Sequence, residues 1–155
     1  MVDIVSPEKR SHMMSSIRGK NTKPELLIRR ALHARGFRYR IHDKNLPGKP
    51  DLCFPKYKAV VFVHGCFWHS HDCSLFKWPK SNAAFWRDKI TANAKRDQKH
   101  CQALSNRGWR VLTVWECAVK GQKDQNISMV IDSISHWLRY LDGNWEISKR
   151  SLHGC

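Results

Sequence analysis

The sequence predicts a mixed α/β sandwich, that is, a central β-sheet flanked by helices. Two nearly continuous apolar runs, 58–65 and 108–116, are typical of central strands that are covered on both faces. Segments with helical character lie before, between and after these runs, at 22–35, 82–106 and 124–141. With two shorter strands near the start, the predicted order is helix, three strands, helix, strand, helix.

The N-terminal part of the chain predicts two helices. Residues 1–20 contain a short basic helix with too little apolar content to bury much surface. In "NTKPELLIRRALHARG", Thr22 stands as the N-cap, Pro24 lies in the first turn and Gly36 ends the helix. Thr22 and Glu25 also match a capping box, so this local pattern alone assigns the glutamate to capping.

The middle of the chain predicts strands joined by a turn. "FRYRIH" (37–42) alternates apolar and basic residues, as a half-buried strand does, and the turn "NLPGKP" leads into a second strand at 51–54. The amphipathic helix 124–141 closes the fold, and 142–155 is expected to be a tail. Because we find no internal repeat or linker, we expect one domain over 155 residues, with its core at 22–121.

The charge of the chain predicts a polyanionic partner. The 28 basic and 13 acidic residues give a net charge of +15, spread along the whole length. Such an excess attracts nucleic acid, whereas any single Lys or Arg is explained by solvation. Seven Trp and 41% hydrophobic residues are typical of a packed domain and exclude a disordered basic arm.

No apolar run approaches the roughly 20 residues that span a bilayer, and "MVDIVSPEKR" lacks the apolar centre of a signal peptide. We therefore expect a cytoplasmic protein that has no membrane partner. Its six cysteines would be kept reduced there, so metal ligation or burial is favoured over disulfide bonds.

Three soft ligands converge if the two central strands are neighbours. His71 and Cys73 follow the first of these strands, and Cys117 follows the second. Zinc takes four such ligands in a tetrahedron. The fourth is sought on the helix 82–106, where Asp97 occupies a position of the apolar stripe.

A carboxylate at a core position must be compensated, and a cation does so directly. A salt bridge from Asp97 to an arginine is the structural alternative. Cys101 and His100 are rival candidates for the fourth zinc ligand. Cys53 and Cys66 are interpreted as small core residues without a metal role.

A carboxylate and two imidazoles lie near neighbouring strand ends. Asp51 begins a strand after the turn "LPGKP", His64 ends the next strand, and His69 lies just beyond it. Together they could form a hydrolytic centre. Taken singly, Asp51 could cap a turn and His64 could be a hydrogen-bonded core histidine.

Five motifs make the combination specific. They are "NTKPE", "LPGKPDLCF", "VFVHGCFWHSHDCSLFKWP", "FWRDKI" and "RGWRVLTVWECA", and the match to which they belong covers roughly 9–121. In their order and spacing they resemble the motifs of the very short patch repair (Vsr) endonuclease family. The pattern "HGCFWHSHDC" is the most specific part of this resemblance.

The resemblance implies a PD-(D/E)xK restriction-endonuclease-like core with a structural zinc site. It implies a bacterial, Mg²⁺-dependent endonuclease that nicks one strand 5′ of the thymine in a T:G mismatch, which arises when 5-methylcytosine is deaminated. The implied partners are mismatched double-stranded DNA, a cytosine-5 DNA methyltransferase and the repair polymerase machinery. A monomer is expected, because one nick needs one active site.

The resemblance also implies residue roles. Asp51 and the backbone carbonyl of Val63 would bind Mg²⁺, and His69 would be the base that activates water. Glu25 and His64 would hold metal-bound water. The implied zinc ligands are His71, Cys73, Asp97 and Cys117, and the implied DNA contacts are an aromatic wedge of Phe67, Trp68 and Trp86 together with a minor-groove probe, Met14.

The chain also departs from the expected patterns. The usual PD-(D/E)xK motif has an acid and a lysine where this chain has Phe62 and His64, and Val63 stands where familiar members have threonine. The missing lysine weakens a generic restriction-enzyme assignment. Two alternatives stay open: a restriction-type endonuclease that cuts matched DNA, and a catalytically inactive, zinc-stabilised DNA-binding module.

Overall fold

The structure is a computed structural model that describes residues 22–69, 71, 73 and 77–149. The predicted helix within residues 1–20, and with it Met14, lies outside the described residues.

Three helices and five strands make up the described fold. The helices are α1 (Lys23–Ala34), α2 (Ala83–Asn106) and α3 (Asp124–Tyr140). The strands are β1 (Arg40–Ile41), β2 (Leu52–Phe54), β3 (Ala59–His64), β4 (Arg110–Trp115) and β5 (Trp145–Ile147). Short 3₁₀ helices at Pro55–Tyr57 and Glu116–Ala118 follow β2 and β4.

The five strands form one mixed sheet in the order β1-β2-β3-β4-β5. The pairs β1–β2 and β2–β3 are antiparallel, whereas β3–β4 and β4–β5 are parallel. The register pairs His64, the last residue of β3, with Trp115, the last residue of β4. The loops after these two strands therefore leave the sheet at the same edge.

The two faces of the sheet are covered by different helices. Leu52, Val61 and Leu112 pack in one cluster with residues of α1 and α3, such as Ile28 and Ile134. On the opposite face, the cluster beneath α2 is formed by Cys53, Val60, Phe62, Leu104 and Val111. Because side chains alternate along a strand, this arrangement explains why β3 is apolar at nearly every position.

The helix signals in the sequence match the observed caps. Thr22 is the N-cap of α1, and its side chain accepts a hydrogen bond from the Glu25 N–H at 3.4 Å. Gly36 follows the helix with a φ of +93°, in the left-handed region that favours glycine. Along α3, Val130, Ile134 and Leu138 are buried on one face, as the 3.6-residue period predicts.

Two strands differ from the expected ones. The predicted strand 37–42 is shortened to the two residues of β1, because the chain bends at His42, which has a φ of +50°. Within 142–155, which was expected to be a tail, β5 adds a fifth strand whose Ile147 is buried against the core. The run "WEI" is too short for its alternation to stand out in the sequence.

The side chain of Arg110 ties β4 to the end of α3. Its guanidinium donates to the carbonyl oxygens of Trp137, Leu138 and Leu141 at 3.0, 3.1 and 2.7 Å, and to that of Tyr57 at 3.0 Å. It also stacks over the Trp137 ring, 4.6 Å from the centroid. The last carbonyl groups of a helix lack some of their partners within the helix, and this side chain supplies a donor to them; the Trp137 oxygen also accepts a hydrogen bond from the Leu141 N–H at 3.3 Å.

We expect Arg110→Met to lower the free energy of unfolding by about 2–4 kcal/mol, because it leaves these carbonyl groups without their charged donor. Guanidinium unfolding followed by tryptophan fluorescence measures this change. A matched control is Arg35→Met, which removes a surface ion pair with Asp132 and should lower it by less than about 1 kcal/mol. Equal effects of the two substitutions would contradict the role given to Arg110.

Within the described part of the chain, no helix combines the length and apolar character that crossing a membrane requires.

Candidate active site and metal centre

The residues predicted to take part in catalysis lie together at the edge of the sheet where β3 and β4 end. A cleft of about 910 Å³ opens there between the sheet and α2. Asp51, His64, His69 and Asp97 all line this cleft. The parallel pairing of β3 and β4 brings the strand ends together, and the length of α2 carries Asp97 back over the same edge.

His69 and Asp97 form a carboxylate–imidazole pair. The His69 Nδ1 atom is in hydrogen-bonding contact with the Asp97 Oδ2 atom. A carboxylate in this position accepts a hydrogen bond from the Nδ1–H group. The proton therefore stays on Nδ1, and Nε2 is the ring nitrogen that can take up another proton. The two side chains are 23% and 28% exposed, which lets a substrate in the cleft reach the ring.

His64 stacks on His69, with 3.9 Å between the ring centroids and 5° between the planes. Burial lowers the pKa of His64 to about 3, and the adjacent His69 contributes to the lowering. His64 is therefore neutral at cellular pH. Among the described residues, its buried Nδ1 atom has no hydrogen-bond partner, so the site offers a polar atom that a bound water could satisfy.

Asp51 lines the same cleft as His64 and His69 and lies at the start of β2. Its Oδ2 atom accepts a hydrogen bond from the Val63 N–H at 2.7 Å, which fixes the carboxyl group against the end of β3. Burial raises the pKa of Asp51 to about 7; the Val63 N–H works against the rise, and Glu25 adds to it by charge and hydrogen bonding. Two carboxyl groups thus share one poorly solvated place.

Glu25 is more than a capping residue. Its side chain is buried, with 1% of the residue exposed, and its Oε2 atom accepts hydrogen bonds from Arg29 Nη1 and His42 Nε2, both at 2.9 Å. Ligand atoms of Glu25, His42 and Asp51 lie within 4.8 Å of one another. The capping interpretation from the local pattern was therefore incomplete, because the side chain points into the fold towards Asp51.

We expect the protein, free of divalent cations, to lose stability as the pH rises from about 4 to about 7. The carboxyl group of Asp51 keeps its proton up to a pKa of about 7 in the folded chain, against 3.8 as its ordinary value. The stability linked to that proton is complete below about pH 4 and is lost between pH 4 and 7, with a slope of up to about 1.4 kcal/mol per pH unit.

Asp51→Asn should remove this part of the pH dependence, since the amide does not titrate. Guanidinium unfolding of both proteins at pH 5 and pH 7.5, in the presence of a magnesium chelator, measures the difference. The unfolding free energy of the variant should change less between the two pH values. An identical change in both proteins would contradict the prediction.

A separate group of soft ligands lies beyond the same strand ends. Cys66, His71, Cys73 and Cys117 each offer one ligand atom, and these atoms lie within 4.8 Å of one another. Tetrahedral zinc with four ligands of this kind separates its sulfur atoms by about 3.8 Å. The donor set and its spacing therefore fit zinc.

The structure differs from the predicted zinc ligand set at one position. Asp97 is paired with His69 in the cleft and is not in the Cys/His group, whereas Cys66, which was interpreted as a core residue, is in that group. Asp97 does lie on the partly buried side of α2, as predicted, but it is the imidazole of His69 that compensates its carboxylate. The other three predicted ligands, His71, Cys73 and Cys117, do converge, and the rivals His100 and Cys101 are not in the group either.

Backbone groups support the sulfur atoms of this cluster. The Cys117 N–H donates to Cys66 Sγ at 3.4 Å, and the Lys149 N–H donates to Cys117 Sγ at 3.5 Å. The His71 ring stacks on Trp115, with 4.2 Å between centroids. Burial raises the pKa of both the Cys66 and Cys117 thiols, so a metal ion would have to displace their protons.

The three predicted wedge residues form one aromatic cluster. Phe67, Trp68 and Trp86 lie with ring centroids 5.2 to 5.6 Å apart. All three are half-buried, so they are not sealed in the core. Asn93 on α2 donates to the Trp68 carbonyl oxygen at 3.1 Å, which fixes the loop after β3 against the helix. Phe85, next to Trp86, is 58% exposed.

Basic side chains also line the cleft. Lys44 and Lys49 come from the turn before β2, and Arg96 comes from α2. Cations at the rim of a cleft bind the phosphates of a nucleic-acid backbone.

Sequence reasoning missed two residues of these sites. Cys66 had a signal, since it stands in the same loop as His71 and Cys73 and is nearer to them than Asp97 is. The sequence signal for His42 was weak, because a single histidine at the end of an alternating run is typical of a strand end and does not indicate a functional site. Its contact with Glu25 depends on the bend of the backbone.

Comparisons with known proteins find relatives that cover most of the chain. A family model described as DNA mismatch endonuclease Vsr matches residues 2–75. The chain is 35% identical over 153 residues to DNA mismatch endonuclease Vsr of Escherichia coli strain K12, covering 99% of this chain and 98% of that protein.

Two further relatives are named type II nicking enzymes. V.XorIIP of Xanthomonas oryzae pv. oryzae is 46% identical over 134 residues, which are 85% of this chain and 98% of that protein. V.NmeAIP of Neisseria meningitidis serogroup A is 50% identical over 122 residues, which are 79% of this chain and 87% of that protein. With nearly full-length similarity to such relatives, the chain belongs to the Vsr family of DNA mismatch endonucleases.

Proposed function

We propose that this protein nicks one strand of double-stranded DNA on the 5′ side of the thymine in a T:G mismatch. Its family and its relatives, named as mismatch endonucleases and nicking enzymes, support a nuclease that acts on DNA. The observation that supports the proposal best is the His69–Asp97 pair, which lines the same cleft as Asp51. The biological source of the substrate would be deamination of 5-methylcytosine.

Asp51 and the backbone carbonyl of Val63 would hold a catalytic Mg²⁺ ion. The residues fit such an ion, because the buried carboxyl groups of Asp51 and Glu25 lie close together and the positive charge of a cation would favour their ionised forms. Mg²⁺ is commonly bound by only one or two carboxylates together with water. When bound, it would supply charge neutralisation at the phosphate under attack.

His69 acts as the base in this proposal. Asp97 holds the ring through Nδ1, and Nε2 takes the proton from the attacking water. His64 supports that ring by stacking on it, and its low pKa keeps a second positive charge away from His69. Glu25 and His64 would orient water in the site.

The aromatic cluster would act as a wedge beside the mismatch. Inserting Phe67, Trp68 and Trp86 between base pairs would require unstacking, which costs about a few kcal/mol and less at a mispair. A preference for mismatched DNA follows from this difference before any base edge is read. Met14 is proposed as a minor-groove contact from the N-terminal segment.

Zinc would hold the loops after β3 and β4 in place. With Cys66, His71, Cys73 and Cys117 as ligands, it would fix the loop that carries His69 and the wedge. This role is structural, since four protein ligands leave no open position for a substrate.

The wider proposal keeps a single nuclease domain over 1–155, acting as a monomer in the bacterial cytoplasm. A cytosine-5 DNA methyltransferase would create the sites at which the mismatch later arises. The repair polymerase machinery would act on the nick.

The test compares two duplexes that differ only at one base pair, T:G or C:G, with and without Mg²⁺. We expect a Mg²⁺-dependent single-strand break in the T:G duplex and none in the C:G duplex. Cleavage of both strands of the matched duplex would favour a restriction-type endonuclease. Tight, salt-sensitive binding without any cleavage would favour an inactive DNA-binding module.

A further inference from the structure

His42 adopts a backbone conformation that residues other than glycine rarely adopt. Its φ is +50°, in the left-handed region where side chains other than glycine are strained. Its N–H donates to the Asp51 carbonyl oxygen at 3.2 Å, so the bend lies directly beside the start of β2. Strained residues persist where their surroundings fix them, and they cluster at functional sites.

The bend turns the imidazole of His42 onto the buried Glu25. His42 Nε2 and Arg29 Nη1 both lie 2.9 Å from the same carboxylate oxygen, Oε2. A carboxylate only accepts hydrogen bonds, so both nitrogens donate to it. Two donors from different elements on one oxygen fix the rotation of the carboxylate about its last bond.

This rotation decides how Glu25 faces Asp51. Ligand atoms of Glu25, His42 and Asp51 lie within 4.8 Å of one another, and Glu25 interacts with Asp51 by charge and hydrogen bonding. Arg29 lies on the same helix as Glu25, one turn away, and moves with it. His42, in contrast, contacts both residues: its side chain donates to Glu25, and its backbone N–H donates to Asp51 at the start of β2.

We propose that His42 is a positioning residue that holds the Glu25 carboxylate in register with Asp51 for the binding of the divalent cation and its water. The inference rests on the proposed function of that site, to which it adds a residue. Neither Arg29 nor His42 was assigned a role by its sequence pattern.

Three substitutions separate positioning from folding. His42→Gln keeps a nitrogen donor three bonds from Cβ, as in the imidazole, whereas His42→Ala removes the donor. His42→Gly removes the donor and also relieves the backbone strain. The exposed His136 on α3 provides a control, His136→Ala.

We expect His42→Ala to lower kcat for T:G nicking by about 10- to 100-fold, with little change in KM for DNA, as is usual when a residue that orients a metal site is lost. His42→Gln should recover most of the rate. His42→Gly should be as slow as His42→Ala, although its melting temperature should be higher. If nicking instead follows the melting temperatures of the three variants, or is unchanged in His42→Ala, the proposal is overturned.

A second readout does not depend on activity. Binding of Mn²⁺ to the DNA-free protein, followed by electron paramagnetic resonance, should weaken in His42→Ala and recover in His42→Gln. In a Glu25→Gln background, His42→Ala should cause no further weakening, because the two residues act together. Additive weakening in the double variant would contradict the proposal.

The two readouts also separate this inference from the proposed function. If the unsubstituted protein fails to nick T:G duplexes, the proposed function is wrong. The comparison of Mn²⁺ binding between the single and double variants still tests the role of His42. If it nicks as expected and His42→Ala binds Mn²⁺ as tightly as His136→Ala, only the inference about His42 is wrong.

Discussion

Asp51→Asn should lower the rate of nicking by about 10³-fold or more, which corresponds to roughly 4 kcal/mol of activation free energy. Asparagine keeps the shape of the side chain, and its amide oxygen can still accept the Val63 N–H that Asp51 binds at 2.7 Å. It loses the negative charge that would bind the divalent cation. The expected defect therefore lies in catalysis and not in folding.

Single-turnover nicking of a labelled T:G duplex at saturating protein measures this rate. Gel-shift titration should give DNA affinity within a few-fold of the unsubstituted protein. The exposed Asp132 on α3 offers a control, because Asp132→Asn removes a carboxylate far from the cleft and should leave the rate unchanged. A rate for Asp51→Asn within tenfold of the original would refute the assignment.

The second large effect concerns zinc, and it distinguishes Cys66 from Asp97. Cys66→Ser should lower the affinity for zinc by at least about 100-fold and destabilise the fold, because it replaces one of four clustered soft ligands. Asp97→Asn should keep a full complement of zinc. It should nonetheless lower the nicking rate by about 10²- to 10⁴-fold, because the contact that orients His69 loses its charge.

Elemental analysis of the purified variants, with melting curves before and after chelation, measures both effects. The unsubstituted protein should contain one zinc ion per chain, and chelation should lower its melting temperature. Loss of zinc from Asp97→Asn together with its retention in Cys66→Ser would restore the ligand set expected from the sequence and contradict the one seen in the structure.

The central strands could be predicted because they are buried on both faces. The apolar runs at 58–65 and 108–116 became β3 and β4, each shorter than its run. β3 starts only after Lys58, which has a φ of +51°, and β4 starts only after Gly108, which has a φ of +84°. Such bends depend on tertiary packing, and so do the shortness of β1 and the existence of β5.

The site was predictable to the extent that it depends on strand ends. Because β3 and β4 pair in parallel, the residues that follow them, such as His71 and Cys117, lie at the same edge of the sheet and close together. Asp97 could be placed on the buried side of α2, but not opposite a particular partner. Local patterns do not resolve whether Asp97 faces the His69 ring or the Cys/His group.

The most direct test of the account is to map the nick in a T:G duplex whose two strands carry different end labels. We expect a single Mg²⁺-dependent break, immediately 5′ of the mismatched thymine and in that strand alone, and no break with Asp51→Asn. Breaks in both strands, or the same break in a fully matched duplex, would contradict the account.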